Sequence, residues 1–453
     1  MRVAVALLVL TAASVALRTG ALDAGFWIDE AIAVGIASHD PAEIPGLLRQ
    51  DGSPPLYYLL LHAWIELAGT GEPATRSLSL LFAALAVPTA WWAAAAVGGR
   101  RAGAVAAAIV AVCPFFAHYA QEARMYTLVA VLSLAATAAF VRRRPIGLVV
   151  ALTLLLYTHT WGVFLVAALA VVALARWRDR DAAIAFGAVA LLYLPWAPSL
   201  VAQALHTGAP WSVRPSPLYL FAALALGAIA LRRRDVLLQA LAAGVALAWL
   251  ATQVEPAWSP RYLAVLFGPA LIALACLAAR RSSWAIAAPL AVVTAMLVAG
   301  PPIAKSNARA VAASVAQSVR PGDLVVCTQP EQVPVLHRYL PAGVRYLTPL
   351  GTPADPALTD WRDALPRLRA ARARRVLTPA VGRLDPGRRV ILVTPVATRA
   401  RSPWARAVRR RTHEWAAALR ADERLLWAGR TSYPDPTRFR SAVRAEIYEI
   451  RLQ

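Results

Sequence analysis

Phe26-Trp27-Ile28-Asp29-Glu30-Ala31 is the stretch that decides how the chain is read. Two adjacent carboxylates stand behind an aromatic pair, shortly after the first apolar segment, residues 3–17 behind Arg2. Taken alone, such a pair reads equally well as two solvated loop acids. The surrounding composition changes that. Of 453 residues, 59% are hydrophobic and 16% charged, and the mean hydropathy is +0.53. This is the composition of a multi-span membrane protein, in which acids near membrane depth face a partner or a water-filled cavity.

Working outward, apolar segments recur at 77–97, 103–118, 125–141, 146–158, 161–176, 182–196, 217–231, 236–251, 262–279 and 284–303. Each approaches the about 20 residues a bilayer requires, so with 3–17 the pattern predicts about eleven transmembrane helices. No small-residue cleavage site follows 3–17, so it reads as a span and not as a signal peptide. Ser53 to Trp64 is apolar but short, opens on two prolines and ends before Glu66. It reads as an interfacial helix inside a long polar loop over 21–76.

The connectors alternate in character. One set is Arg100-Arg101, Arg142-Arg143-Arg144, Arg176-Trp177-Arg178, Arg232-Arg233-Arg234 and Arg280-Arg281. The positive-inside rule puts these in the cytoplasm. The other set then lies outside: the loop with Asp29, residues 118–124, 158–161, 197–216 and 253–261, and the C-terminal region. The formal charge of +22 rests on arginine, with Lys305 the single lysine. Its clustering between apolar runs is a topology signal and not a groove for nucleic acid. Arginine and alanine richness fits a GC-rich, bacterial source. Cys113, Cys276 and Cys327 are too few and scattered for a disulfide framework or a zinc site and read as small buried hydrophobes.

From Lys305 the pattern changes. Strand-like runs at 322–328, 344–347, 389–394, 425–428 and 446–452 alternate with helix-like runs at 331–340, 361–374 and 404–420. This predicts a transmembrane domain over 1–303 and an extracytoplasmic α/β domain over 304–453. No glycine-rich phosphate loop follows the first strand, which argues against a nucleotide site there.

Nearly every chemically capable residue falls on the outer face. Asp29 can serve as a general base toward a hydroxyl. Glu30, pointing elsewhere, can orient a neighbour. In Tyr119-Ala120-Gln121-Glu122-Ala123-Arg124-Met125-Tyr126, a helix would put Gln121, Arg124 and Met125 on one face and Glu122 with Tyr126 on another. The alternative is a helix-start cluster with an internal Glu-Arg pair. His159 sits at an outer turn, either as a hydrogen-bonded boundary residue or as part of a site. Arg261 opens an outer span, either snorkelling to the interface or clamping a phosphate through its guanidinium fork. A group-transfer enzyme facing outward meets no nucleotide pool, so it would take a lipid-linked donor whose phosphate lies at headgroup level.

These residues carry a resemblance. Trp27-Ile28-Asp29-Glu30-Ala31, Ser53-Pro54-Pro55-Leu56-Tyr57-Tyr58, Tyr119 to Tyr126, the His159 turn and Pro260-Arg261-Tyr262-Leu263 occur in an order and topology that resemble the GT-C-fold membrane glycosyltransferases. The nearest group is glycosyltransferase family 39, with its protein O-mannosyltransferases and aminoarabinose transferases. The resemblance covers residues 1–303 and implies inverting transfer of mannose or a similar sugar from a polyprenyl phosphate to an acceptor hydroxyl at the bacterial cytoplasmic membrane. It implies Asp29 as base with Glu30 supporting it, Arg124 and Arg261 on the donor phosphate, and Glu122, Tyr126, His159, Tyr57 and Tyr262 shaping the pocket. Gln121-Glu122 stands where the family often has an aspartate. No cofactor or metal is required, and no ligand set supports a divalent ion. The implied partners are the lipid-linked donor, a lipid, glycan or protein acceptor and the bilayer, with no nucleic acid. The main alternative is a transporter or flippase of polyprenyl-linked lipids, though such proteins place their sites near the midplane. A third is a scaffold whose basic domain binds an envelope polymer.

Overall fold

The computed structural model describes residues 2–176, 180–280, 305–396, 401–431, 439 and 441–452. The expected span 284–303 lies outside them, as do Trp177, Arg178 and Arg281 of the arginine connectors. The described chain forms two compact units that cut across the chain order. One comprises Met1–Leu22, Ser53–Ala202 and Val213–Pro302; the other comprises Asp23–Gly52, Gln203–Ser212 and Ile303–Gln453. The division expected at residue 303 follows the chain, whereas packing groups residues 23–52 and 203–212 with the C-terminal segment.

The first unit is a helical bundle. Glu72–Val112, Arg180–His206, Val236–Val254 and Pro260–Ala279 are each long and apolar enough to cross a membrane. Arg2–Ala16, Leu56–Ala68, Tyr126–Val141, Pro145–Thr158 and Gly162–Arg176 are shorter apolar helices. Large apolar side chains such as Leu8, Ile146, Leu174, Leu191, Phe221 and Val254 are exposed on this unit, as a lipid-facing surface demands. One sequence expectation needs correction, whereas the segments 77–97 and 103–118 are separated as the sequence reads them: Glu72–Val112 is broken at Gly99, whose φ of 82° is open to glycine without strain. The bend falls directly before Arg100-Arg101, the connector read from the sequence. The segment 182–196 continues through a 3-10 turn at Leu194–Trp196 into Ala197–His206, so the expected 197–216 loop begins as helix.

Small residues set the closeness of this bundle. Its core is dominated by alanine, including Ala83, Ala86, Ala90, Ala94, Ala106 and Ala275, and such residues let helices approach where lipid offers no hydrophobic drive. The tightest approach bears on function. A Cβ on Gly268 would collide with the Ser133 carbonyl. At the same place the Gly268 amide donates to Ser133 Oγ at 2.9 Å, and that hydroxyl donates to the Val265 carbonyl at 2.7 Å. The 3-10 segment Pro260–Leu266, which carries Arg261, is thereby fixed in register against helix Tyr126–Val141.

The second unit is built on a five-stranded sheet: β1 Leu324–Cys327, β2 Arg345–Leu347, β3 Arg389–Pro395, β4 Leu425–Arg430 and β5 Val443–Ile450. The order is β2-β1-β3-β5-β4. β1 is parallel to both neighbours, with Leu324 opposite Arg345 and Val390, while β3–β5 and β4–β5 are antiparallel. All four residues of β1 are buried, the mark of a parallel strand covered on both faces. Helix Pro403–Arg420 packs its Trp415 and Leu419 into the sheet core. The expected helix over 361–374 is two helices, Ala364–Ala370 and Ala373–Gly382, broken at Ala371 and Arg372.

The polar loop read over 21–76 also contains more helix than expected: Ile28–Ala37, Ile44–Asp51 and Leu56–Ala68. The first two belong to the sheet unit. Gly35 has no room for a Cβ against the Ala357 carbonyl. His39 bonds Asp355 at 2.8 Å, and the Trp361 amide donates to the Gln50 carbonyl at 3.0 Å. The 203–212 segment is held in the same way. Asp363 N–H donates to the His206 carbonyl at 2.7 Å, and Trp211, Trp361 and Trp404 meet edge to face in series, with ring centres 4.7 and 5.1 Å apart.

Candidate functional site

In the bundle unit, three loops bring cations and rings together. Arg124 lies in the turn 120–125, between helices Pro114–Tyr119 and Tyr126–Val141. The sequence reads 118–124 as an outer connector and also weighs a helix through 121–126; the turn is what forms. The Arg124 amide reaches back only to the Glu122 carbonyl, at 2.8 Å. Glu122 is 1% exposed and bonds His118 Nε2 at 3.1 Å, which turns its carboxylate to the preceding helix. The expected helical faces therefore do not exist. In the turn the Arg124 carbonyl accepts from Ser79 Oγ at 3.0 Å and its Nη1 donates to Tyr58 Oη at 3.3 Å.

Arg261 enters from the pinned 3-10 segment. Its guanidinium carbon stands 5.7 Å from the Tyr126 ring centre and 5.5 Å from that of Tyr262, within cation–π range. His159 follows helix Pro145–Thr158 in extended conformation, φ −153°. Its ring lies 5.9 Å from Tyr126 and 5.1 Å from Tyr262. Burial, then the positive charges of Arg124 and Arg261, depress the imidazole pKa to about 3. His159 is therefore neutral. The Trp161 amide donates to Nδ1 at 3.1 Å, so the ring proton resides on Nε2 and that nitrogen is a donor.

Arg124, Arg261, His159, Tyr126 and Tyr262 thus form one cluster: two guanidinia and a neutral imidazole N–H framed by phenol rings. Such an array suits an anion with several oxygens, because guanidinium forks match phosphate and a neutral donor adds no like-charge repulsion. Tyr57 stands behind it. Fully buried, its hydroxyl bonds Ser79 Oγ at 3.0 Å, and Ser79 in turn holds the Arg124 carbonyl. Tyr58, not singled out in the sequence, is the tyrosine that touches the Arg124 guanidinium; its place beside Tyr57 in an apolar helix gave no sign of which ring faces the cation.

The acids lie in the sheet unit. Asp29 and Glu30 occupy the first turn of helix Ile28–Ala37, where the unsatisfied amides favour negative charge. Asp29 is partly exposed and Glu30 fully buried, the separation expected of neighbours on a helix. The preceding aromatics are fixed by cations. Arg338 lies 5.0 Å over the Phe26 ring and Lys305 5.7 Å over that of Trp27. The Phe26 amide donates to Tyr339 Oη at 2.7 Å, and Arg309 donates to the Asp23 carbonyl at 3.0 Å. Four side chains from 305–339 hold the entrance to this helix. Among the described residues no three His, Cys, Asp or Glu side chains group as metal ligands.

No family model and no curated protein matches the chain. Solved structures do. ArnT from Cupriavidus metallidurans in the apo state superposes with a TM-score of 0.58 at 15% identity, covering 99% of this chain and 98% of that one. The same protein bound to undecaprenyl phosphate gives 0.58 at 15%, over 97% of each chain. An oligosaccharyltransferase from Archaeoglobus fulgidus, in complex with Zn and sulfate, gives 0.52 at 13%, over 85% of this chain and 67% of that one. The chain has the GT-C fold of membrane glycosyltransferases.

Proposed function

We propose that this protein is an integral-membrane glycosyltransferase that moves a sugar, mannose or similar, from a polyprenyl phosphate to an acceptor hydroxyl. The reaction takes place on the outer face of the bacterial cytoplasmic membrane, where the arginine connectors orient the loops. The observation that carries the reading is the Arg124–His159–Arg261 cluster, an anion site with a neutral imidazole, in a fold shared with a protein solved bound to undecaprenyl phosphate.

The acceptor oxygen attacks the anomeric carbon as the bond from that carbon to the phosphate oxygen breaks. The configuration inverts. Asp29 takes the hydroxyl proton, with Glu30 supporting its helix turn, and the polyprenyl phosphate departs with the bonding electron pair. Arg124 and Arg261 neutralise the charge that grows on the leaving phosphate, a form of stabilisation that often dominates catalysis. His159 adds a hydrogen bond from Nε2, and Tyr126 and Tyr262 hold the Arg261 guanidinium in place. This chemistry needs no metal.

The test is turnover. Purified protein in lipid nanodiscs is supplied with mannosyl, arabinosyl or glucosyl phosphopolyprenol and a crude envelope acceptor. Release of polyprenyl phosphate coupled to loss of the donor is expected for one of them. Movement of intact donor across proteoliposome membranes without cleavage would identify a flippase.

A further inference from the structure

Gln121 stands in the turn that carries Arg124, and its side chain has no part in the reaction described so far. Helix Pro114–Tyr119 ends just before it, and the last carbonyls of a helix lack partners within the helix. The Gln121 backbone amide reaches the His118 carbonyl at 3.4 Å. The Ala117 carbonyl is taken by the Gln121 side chain, whose Nε2 donates to it at 2.7 Å. The other end of the same side-chain amide turns to a distant part of the chain: Oε1 accepts from the Ala21 amide at 2.6 Å. A backbone N–H only donates and a carbonyl only accepts, so both ends of this side chain are specified. Gln121 is 7% exposed, and water competes little for either bond.

The segment that Gln121 grips is itself tied down. Arg18 is buried and donates from Nη1 to the Ala83 carbonyl at 3.0 Å and from Nη2 to the carbonyls of Val110 and Ala111. Its guanidinium carbon lies 5.3 Å from the Phe116 ring centre. Arg76, also buried, donates from Nη1 to the carbonyls of Ala21 at 3.2 Å and Leu22 at 2.8 Å. Residues 18–22 are thus fixed to both arms of Glu72–Val112 and to helix Pro114–Tyr119. Against this base the turn 120–125 is clamped twice, near its start by Gln121 and near its end by Ser79 Oγ on the Arg124 carbonyl. We propose that Gln121 is a positioning residue for Arg124: its two-ended bracket between Ala21 and Ala117 sets the turn from which the guanidinium meets the donor phosphate. The chemistry asks for this residue type. A carboxylate at 121 could accept from Ala21 but not donate to Ala117, and an apolar side chain could do neither, whereas a primary amide of this length does both.

The role rests on the reading of Arg124 as a ligand of the donor phosphate, and a double-mutant cycle separates the two. The full chain in nanodiscs is prepared as wild type, Gln121→Met, Arg124→Ala and the double variant. Kd for fluorescent undecaprenyl phosphate and kcat at saturating donor are measured for each. Gln121→Met keeps the length of the side chain and loses both bonds. It is expected to weaken binding about tenfold, with kcat at saturating donor within about threefold of wild type. The double variant is expected to bind as Arg124→Ala does, within about twofold, because a residue that acts through Arg124 then has nothing left to place. Wild-type Kd in Gln121→Met overturns the inference. So does a double variant about tenfold weaker than Arg124→Ala, the additive result of two independent roles. Should Gln121→Met not fold, the same cycle is run with Gln121→Asn, which keeps the amide but is one methylene too short to span both partners. Wild-type Kd in Arg124→Ala overturns the phosphate reading itself, and this role with it.

Discussion

The cation cluster and the acid pair solve opposite electrostatic problems. Burial, and then the positive charges of Arg124 and Arg261, keep the His159 imidazole neutral with a pKa of about 3. Asp29 and Glu30 crowd two acids on one helix turn, and the amides of that helix together with Lys305, Arg309 and Arg338 supply the positive field. The first region is built to hold a charge brought by a ligand. The second is built to keep a charge of its own. On this view ligand affinity belongs to the cluster and proton transfer to the acids, and the variants below are chosen to break that division or sharpen it.

The largest effect falls on Asp29. Asp29→Asn keeps size and packing but cannot accept the proton, so kcat is expected to drop about 10²- to 10⁴-fold, with undecaprenyl phosphate still bound. Glu30→Gln is expected to cost less. If Glu30→Gln is the inactive variant and Asp29→Asn turns over normally, the base is the wrong member of the pair.

Next come the guanidinia. Arg124→Lys and Arg261→Lys keep charge and lose the fork. Each charge-assisted hydrogen bond lost is expected to weaken donor binding by about 10- to 100-fold, seen in KM and in undecaprenyl phosphate binding. Unchanged donor KM in both would make these arginines helix anchors only.

His159 gives a pH signature. Its folded pKa of about 3 lies below the unfolded value of 6.5, so the unfolded chain binds the extra proton between those limits. Stability from this residue is complete above about pH 6.5 and lost as pH falls toward 3. Wild-type thermal midpoints are expected to fall from pH 7 to pH 5 more steeply than those of His159→Gln. Parallel curves would mean that the imidazole is not held neutral.

The smallest effect is at Tyr58. Its hydrogen bond to Arg124 is neutral on one side and 3.3 Å long, so Tyr58→Phe is expected to raise donor KM only several-fold, in line with about 1 kcal/mol for one hydrogen bond.

What could be read from the sequence follows from what leaves a local trace. β1 and β2 fall within the runs 322–328 and 344–347, and β3 exceeds 389–394 by one residue, because buried parallel strands are short, continuous and apolar. The helices of the bundle leave an equally local trace, interrupted by arginines. The break at Gly99 inside Glu72–Val112 leaves one too, since a glycine beside two arginines reads as a connector. The connector at 118–124 was legible, but not the conformation of the turn 120–125, because its residues are compatible with helix and the Glu122–His118 pair is spaced as a helical pair would be. The packing of 23–52 and 203–212 with 303–453 is invisible to any window, because it rests on contacts such as Trp361 with Gln50 and His39 with Asp355. Arg124, His159 and Arg261 stood out as polar residues at outer turns. Glu331 read only as the start of a helix, and its burial against Trp404 could not be anticipated.

The most direct measurement sets binding against turnover in the same samples. Titration of fluorescent undecaprenyl phosphate and single-turnover release of lipid phosphate are recorded for wild type, Asp29→Asn and the Arg124→Lys/Arg261→Lys double variant. The division of roles predicts wild-type Kd with lost turnover in Asp29→Asn, and weakened Kd in the double variant with turnover recovered at saturating donor. Wild-type Kd in the double variant, or equal loss of binding and turnover in Asp29→Asn, would contradict it.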